Sequence, residues 1–382
     1  MTATTPPPVV TFTLTDEQRL LRDTVREVLT ARAGSTRVRE VMATDGVDHD
    51  LYRELAGLGL VGLAIPEHLG GAGSTFVEVA IVMEELGRRL APVPYLSSAV
   101  LGTTAVLRAA SEEQAGRILP DVASGDRRLA LAHLDDAGRV DAPPAVRATP
   151  DGDGWVLDGV AGFVVDGAGA DTLIVAARDT HQVQAIGLFV VSGGSAGVSR
   201  EPLDVLDLTR PMATVRLDGV RVDATDRLAG DGSAALDAAV AAGVIALAAE
   251  QVGGVQQTLE SITAYARERV QFGRAIGSFQ AVKHRLAEML VQSEAARSTA
   301  EYAARVLAAG DDAEVAIAAP LAKSYCSQVY EVATADALQT YGGIGFTWEH
   351  DVHLYLKRAK STKLLLGSPV VHRVRLGDVL GL

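Results

Sequence analysis

The sequence is poor in cysteine, having only Cys326, so no disulfide framework can form within the chain and the cytoplasm is the natural compartment. Basic residues are outnumbered: 35 Lys and Arg stand against 48 Asp and Glu, a formal charge of -13. That balance argues against a nucleic-acid footprint and against anionic membrane surfaces, which leaves small molecules and proteins as partners. Neither a CxxC nor an HExxH pattern occurs, and no structural metal is expected. The start, MTATTPPPVVTFTL, lacks a basic region followed by a hydrophobic one, and residues 1–13 read as a flexible, Pro-rich leader. The apolar run Ala238–Ala249 is shorter than the ~20 residues needed to span a bilayer, and reads as a helix buried inside protein.

What is present divides into three parts. Residues 14–125 carry helical periodicity, with Leu20, Leu21, Val25 and Val28 on one face behind a Thr15 cap, and with short helices expected near Ser98–Ala109 and Ser111–Ala123. Over 126–232 the period changes to two: RLALAHL, GWVLDGV, DTLIVAAR, AIGLFVV and ATVRLDGVRV predict a small antiparallel barrel or sandwich, with a type I′ hairpin at Asp218-Gly219. From 233 to 382 helices return, over 235–271, 279–308 and 312–341 and then in shorter pieces, the pattern of a bundle. The first of these is expected to stop at Gly273, where Arg269, Gln271 and Phe272 crowd its last turn. An Arg, an amide and an aromatic at that place suit either phosphate binding with ring stacking or an ordinary C-cap with a cation matched to the helix dipole.

Two longer strings bear on that choice. RVQFGRAIGSFQAVKHRLAEM (Arg269–Met289) and QTYGGIGFTWEHDVHLYLKRAK (Gln339–Lys360) resemble, in order and spacing, two signatures of the acyl-CoA dehydrogenase family, and weaker similarity covers nearly the whole chain. The resemblance implies an α+β multidomain fold: a helical N-domain, a β-barrel middle domain and a C-terminal four-helix bundle that mediates tetramer assembly. It also implies FAD as cofactor, an acyl-CoA substrate and electron-transfer flavoprotein as acceptor. In such enzymes a carboxylate removes the α proton of the thioester and the β hydride passes to the flavin.

The resemblance is uneven. Positions that reach a neighbouring subunit's FAD are matched by Arg269, Gln271, Phe272, Gln280, Gln339, Gly342 and Gly343. Arg269 would hold pyrophosphate, Phe272 would pack on the adenosine or ring region, and the glycines would let backbone approach closely. The flavin-ring loop, usually Thr-Glu-Pro…Gly-Ser-Asp, is replaced by LAHLDDAGRVDAPP, and Phe163 and Val165 stand where a Trp-x-Thr pair is customary. Val165 cannot donate a hydrogen bond. The base is absent from both usual places, where this chain has Leu366-Gly367-Ser368 in one and Gly243-Val244 in the other.

Glu250 remains, about 10 Å beyond Gly243 on the same helix face at 1.5 Å per residue. If buried alone it would have a raised pKa, as a general base would want, or it could pair with an Arg or backbone group of a neighbouring helix. His350, Asp351, His353, Lys357 and Arg358 cluster in the second string and suit solvated or intersubunit ion pairs. Taken together, the kept and lost groups are those expected of a non-catalytic subunit resembling those of actinobacterial heterotetrameric acyl-CoA dehydrogenases, which act on bulky thioesters such as steroid side-chain CoA. A self-sufficient homotetramer using Glu250 and a flavin-free assembly subunit are the alternatives.

Overall fold

The computed structural model describes residues 13–182 and 185–382, so the expected leader lies outside the described residues except for Thr13. Helix α1 (Asp16–Arg32) begins where Thr15 accepts from the Gln18 amide and Gln18 reaches back, a reciprocal cap that satisfies two orphan donors. After α2 (Ser35–Met42) and α3 (His49–Gly57) comes α4 (Phe76–Arg89), closed in the same way by Thr75 and Glu78. The helix expected from Ser98 starts earlier and more widely wound, as a π-helical segment Tyr95–Gly102 that leads into α5 (Thr103–Ala109). A last N-terminal helix, α6, spans Glu112–Ala123.

The middle of the chain forms one mixed, curled sheet of seven strands: β1 (Leu129–Ala132), β2 (Arg147–Asp151), β3 (Gly154–Val165), β4 (Thr172–Asp179), β5 (Ile186–Ser192), β6 (Val198–Pro202) and β7 (Met212–Val222). Three expectations change here. The sheet is not wholly antiparallel, because β4 pairs in parallel with both β1 and β2. Two strands, β2 and β6, were not expected, since RATPD and VSREP carry little apolar alternation and gain their place by pairing with β3 and β7. The Asp218-Gly219 hairpin does not form. β7 runs straight through that pair, because both of its halves pair with β3 and the first half pairs with β6 as well. The Gly219 amide donates to the Asp158 side chain at 2.8 Å and the register slips by one residue, so the dipeptide makes a bulge.

The C-terminal part consists of α7 (Gly232–Glu268), a two-residue ribbon β8 (Val270–Gln271) and β9 (Arg274–Ala275), α8 (Gln280–Ala309), α9 (Asp312–Tyr341), α10 (Val352–Leu364) and α11 (Pro369–Leu380). By composition α7 is long and apolar enough to cross a membrane, yet every residue from Ala242 to Val255 is buried inside the protein. It crosses α4 at very short range. A Cβ on Gly87 would lie 2.0 Å from the Glu250 carbonyl oxygen, and one on Gly253 would lie 1.9 Å from that of Glu84, so only glycine allows this approach. One apolar core joins the N-terminal helices to the bundle, and a second lies within the sheet. The end of α7 also departs from expectation. The helix stops at Glu268, not at Gly273, because Val270–Gln271 turn back on Arg274–Ala275. The turn residues Phe272 and Gly273 both have positive φ, 52° and 78°, the conformation of a two-residue primed hairpin.

Candidate functional site

Gly243 on α7 faces the loop that joins α10 to α11. A Cβ there would lie 2.8 Å from a Leu366 methyl and 2.5 Å from a Leu101 methyl. The two positions where the resemblance puts a proton acceptor are therefore neighbours in space, and Leu366 and Leu101, each 2 % exposed, close on Gly243. Leu366 holds a left-handed φ of 57°, and the His372 ring donates from Nε2 to its carbonyl at 2.9 Å. None of the side chains of Gly243, Leu101 and Leu366 can accept a proton.

Glu250, two turns further on, is fully enclosed and bound by two guanidinium groups. Arg358 Nη1 donates to it at 2.8 Å and Arg210 Nη2 closes on its other oxygen. Arg358 also donates at 2.5 Å to Asp207 and at 3.0 Å to the Thr209 carbonyl, while Thr209 donates its amide and hydroxyl to Asp207. Burial alone would raise the Glu250 carboxyl, but the charges and hydrogen bonds of Arg210 and Arg358 outweigh it and hold the group below its ordinary value. Of the two expectations for Glu250, pairing with an Arg of a neighbouring helix holds and the raised pKa of an isolated buried acid does not. A carboxylate neutralised by two cations is a weak base, and its role here is to fasten the β6–β7 loop and α10 to α7.

The same network corrects the reading of the second string. Arg358 is 1 % exposed and pairs within its own chain, as the i+4 neighbour of buried Leu354 on the inward face of α10. Asp351 pairs with Arg39 at 2.8 Å, and Lys363 with Glu331 at 2.6 Å. His353 stacks on Trp348 at 4.9 Å, and Arg39 and Lys357 lie over the same indole. The signal that could have exposed Arg358 was its register with Val352, Leu354 and Thr362, and for Asp207 the Asp-x-Thr turn.

The two strings converge at one end of the bundle, where Tyr265 in the last turns of α7 packs on Tyr341 at the end of α9, centroids 4.7 Å apart. Here the side chains face outward: Arg269, Gln271, Phe272, Gln280, Gln339 and Gly343 are exposed, and Gly342 is half-buried with a φ of 66°. Phe272 is 92 % exposed at the tip of its ribbon, edge-on to Phe279, over which Arg274 also lies. A Cβ on Gly342 or Gly343 would meet open space, so backbone there is free to be approached from outside. An arginine, amide groups, an aromatic face and bare backbone on one edge suit a phosphate and a nucleoside ring.

The sheet face offers less. Phe163, with φ 52°, lies against Gly138, where a Cβ would be 2.6 Å from its ring, and the Gly162 amide donates to the Asp135 carbonyl. Val165 is buried and has no side-chain donor. Of the five non-glycine residues with positive φ among the described residues, three are Phe163, Phe272 and Leu366, so unusual backbone gathers at the positions singled out from sequence.

A helical N-terminal part, a curled sheet and a helical bundle define the class: the acyl-CoA dehydrogenase fold. The sequence matches the acyl-CoA dehydrogenase N-terminal domain over residues 15–126 and the C-terminal domain over 230–381. It is 37 % identical to acyl-CoA dehydrogenase IpdE2 of Mycobacterium tuberculosis, covering 93 % of this chain and 94 % of that one. Among solved structures it resembles the ChsE4-ChsE5 complex from Mycobacterium tuberculosis, at 31 % identity and a TM-score of 0.89 over 97 % of this chain and 99 % of that one. A Tcur3481-Tcur3483 steroid ACAD variant is similar at 33 % identity and a TM-score of 0.86, over 96 % and 98 %. The chain belongs to the acyl-CoA dehydrogenase family of oxidoreductases.

Proposed function

We propose that this chain is the non-catalytic subunit of a heteromeric acyl-CoA dehydrogenase, an α2β2 assembly in which it lends nucleotide-half contacts to FAD whose ring and proton acceptor belong to its partner. The observation that carries this is the packed contact of Gly243 with Leu366 and Leu101. Both sites of the customary base are apolar, and Glu250, the acid two turns along α7, is held by Arg210 and Arg358. FAD, when bound, takes the β hydride of the thioester. Arg269 would meet its pyrophosphate, Phe272 its adenosine or ring region, and Gln271, Gln280, Gln339, Gly342 and Gly343 would line the approach. The fit is limited to that half, since Val165 and Phe163 give an isoalloxazine ring no side-chain hydrogen bond on this chain's own sheet.

The substrate class we infer is a bulky acyl-CoA thioester, with a steroid side-chain CoA as the leading example; support comes from the steroid ACAD named among its structural neighbours. Electron-transfer flavoprotein in the cytoplasm is the acceptor implied by the family. Co-expression with a related acyl-CoA dehydrogenase subunit, followed by native mass and flavin measurement, tests the reading. Two FAD per mixed tetramer support it, whereas four FAD on a homotetramer of this chain overturn it. Flavin absent both alone and with every related partner would instead favour an assembly subunit.

A further inference from the structure

The loop between β1 and β2 crosses from the sheet to the last helix and is fastened at both ends. On the sheet side the Gly162 amide of β3 donates to the Asp135 carbonyl at 3.1 Å. A Cβ on Gly162 would lie 2.7 Å from that oxygen and 2.8 Å from the carbonyl oxygen of Asp136, and one on Gly138 would lie 2.6 Å from the Phe163 ring. On the helix side the Val140 carbonyl accepts from Arg375 of α11 at 3.1 Å, and a Val140 methyl would lie 3.5 Å from a Cβ on Gly367. Between these ends the loop is closed on itself. Asp135, 4 % exposed, accepts from the Arg139 amide at 2.8 Å and from Arg139 Nε at 2.6 Å, and its carbonyl takes the Gly138 amide as well.

The two ends matter because of what the resemblance assigns to them. Phe163 and Val165 stand where a flavin ring would be flanked, and Leu366-Gly367 where a proton acceptor would stand. A thioester that loses a proton to one and a hydride to the other must lie between them, with reacting atoms ~3–3.5 Å from each. That geometry needs a gap of roughly 7 Å, besides the ring itself, between β3 and the α10–α11 turn. Here Gly138 touches Phe163 and Val140 touches Gly367, and two residue steps of extended chain span at most ~7 Å. The interval is filled by this chain's own backbone.

We infer that residues 135–140 form a fixed strap that closes this chain's own ring-and-thioester space. The inference rests on the reading that the FAD ring belongs to the partner, and adds that restoring single side chains does not undo the closure.

Limited trypsin digestion of the purified chain reads the strap at the Arg139–Val140 bond, where Arg139 is exposed. The wild-type bond is cut about tenfold more slowly than in Gly162→Ala, whose methyl would meet two strap carbonyls, or in Arg375→Ala, which frees Val140. Circular dichroism checks that both variants are folded; if neither folds, hydrogen exchange of the wild-type Gly138 and Arg139 amides decides, slow exchange supporting the strap and exchange at the rate of unstructured chain overturning it. Excess FAD added to the chain alone leaves the cutting rate unchanged, and Val165→Thr, which supplies the missing side-chain donor, gains no flavin. A wild-type bond cut as fast as in both folded variants, cutting altered by FAD, or flavin bound by Val165→Thr overturns the inference. The two ideas fail separately. Rapid cutting in a mixed assembly that holds two FAD overturns the strap and keeps the reading, whereas a resistant bond in a chain that takes up no flavin with any related partner keeps the strap and overturns the reading.

Discussion

Two regions of α7 are built on opposite terms. From Ala242 to Val255 the helix is enclosed on every side: Gly243 is packed by two leucines, Gly253 lets α4 approach to backbone contact, and the one charge, Glu250, is neutralised by two arginines. Beyond Glu268 the chain turns outward into a ribbon whose tip, Phe272, is 92 % exposed in left-handed backbone. Burying such a ring would contribute roughly 1.5–3 kcal/mol, and the fold forgoes it. The filled region explains itself as core. The exposed edge does not stabilise the isolated chain and calls for a ligand or neighbour. In a self-sufficient enzyme of the kind the resemblance implies, the reverse would hold, with an acid where Gly243 now meets Leu366 and Leu101.

The contrast can be broken at several points. Arg358→Met removes the group that joins Asp207 and Glu250 to α10 and leaves Asp207 buried without its cation; a loss of about 3–5 kcal/mol in urea unfolding is expected. Leu366→Ala should cost about 2–4 kcal/mol if the contact with Gly243 is true core, and well under ~1 kcal/mol if it lines an open channel. Acid titration of stability adds a signature. Because the folded Glu250 carboxyl lies below its unfolded value of 4.5, its contribution is complete above that pH and is lost as pH falls through the folded value, so Glu250→Gln should flatten the stability curve below pH 4.5. For His372, lowered from 6.5 to about 4, stability likewise declines as pH falls between those values, and His372→Asn should remove that slope. Smallest in stability is Phe272→Ala, within ~0.5 kcal/mol on the isolated chain, yet it should lower the flavin retained by a mixed assembly several-fold after gel filtration.

Much of this was legible in the sequence. Helical and alternating periodicities marked the three parts, because burial on one face leaves a periodic trace. The strings at Arg269 and Gln339 lie on the two helix ends that Tyr265 and Tyr341 join, and Gly243 and Leu366, far apart in sequence, meet. What escaped has a common cause. β2, a short strand between β3 and β4, and β6, at the sheet edge, are stabilised by partners rather than by their own pattern, and Asp218-Gly219 lost its hairpin when both flanking halves found other strands. Arg358 read as a surface charge because its acidic partners, Asp207 and Glu250, lie more than a hundred residues away.

The most direct test concerns where the proton goes. In a mixed assembly reconstituted with this chain carrying Glu250→Gln, flavin bleaching by an acyl-CoA should proceed at the wild-type rate per bound FAD, because the acceptor is the partner's. Retained flavin with bleaching abolished would show that Glu250 of this chain takes the proton, and would contradict the division of labour proposed above.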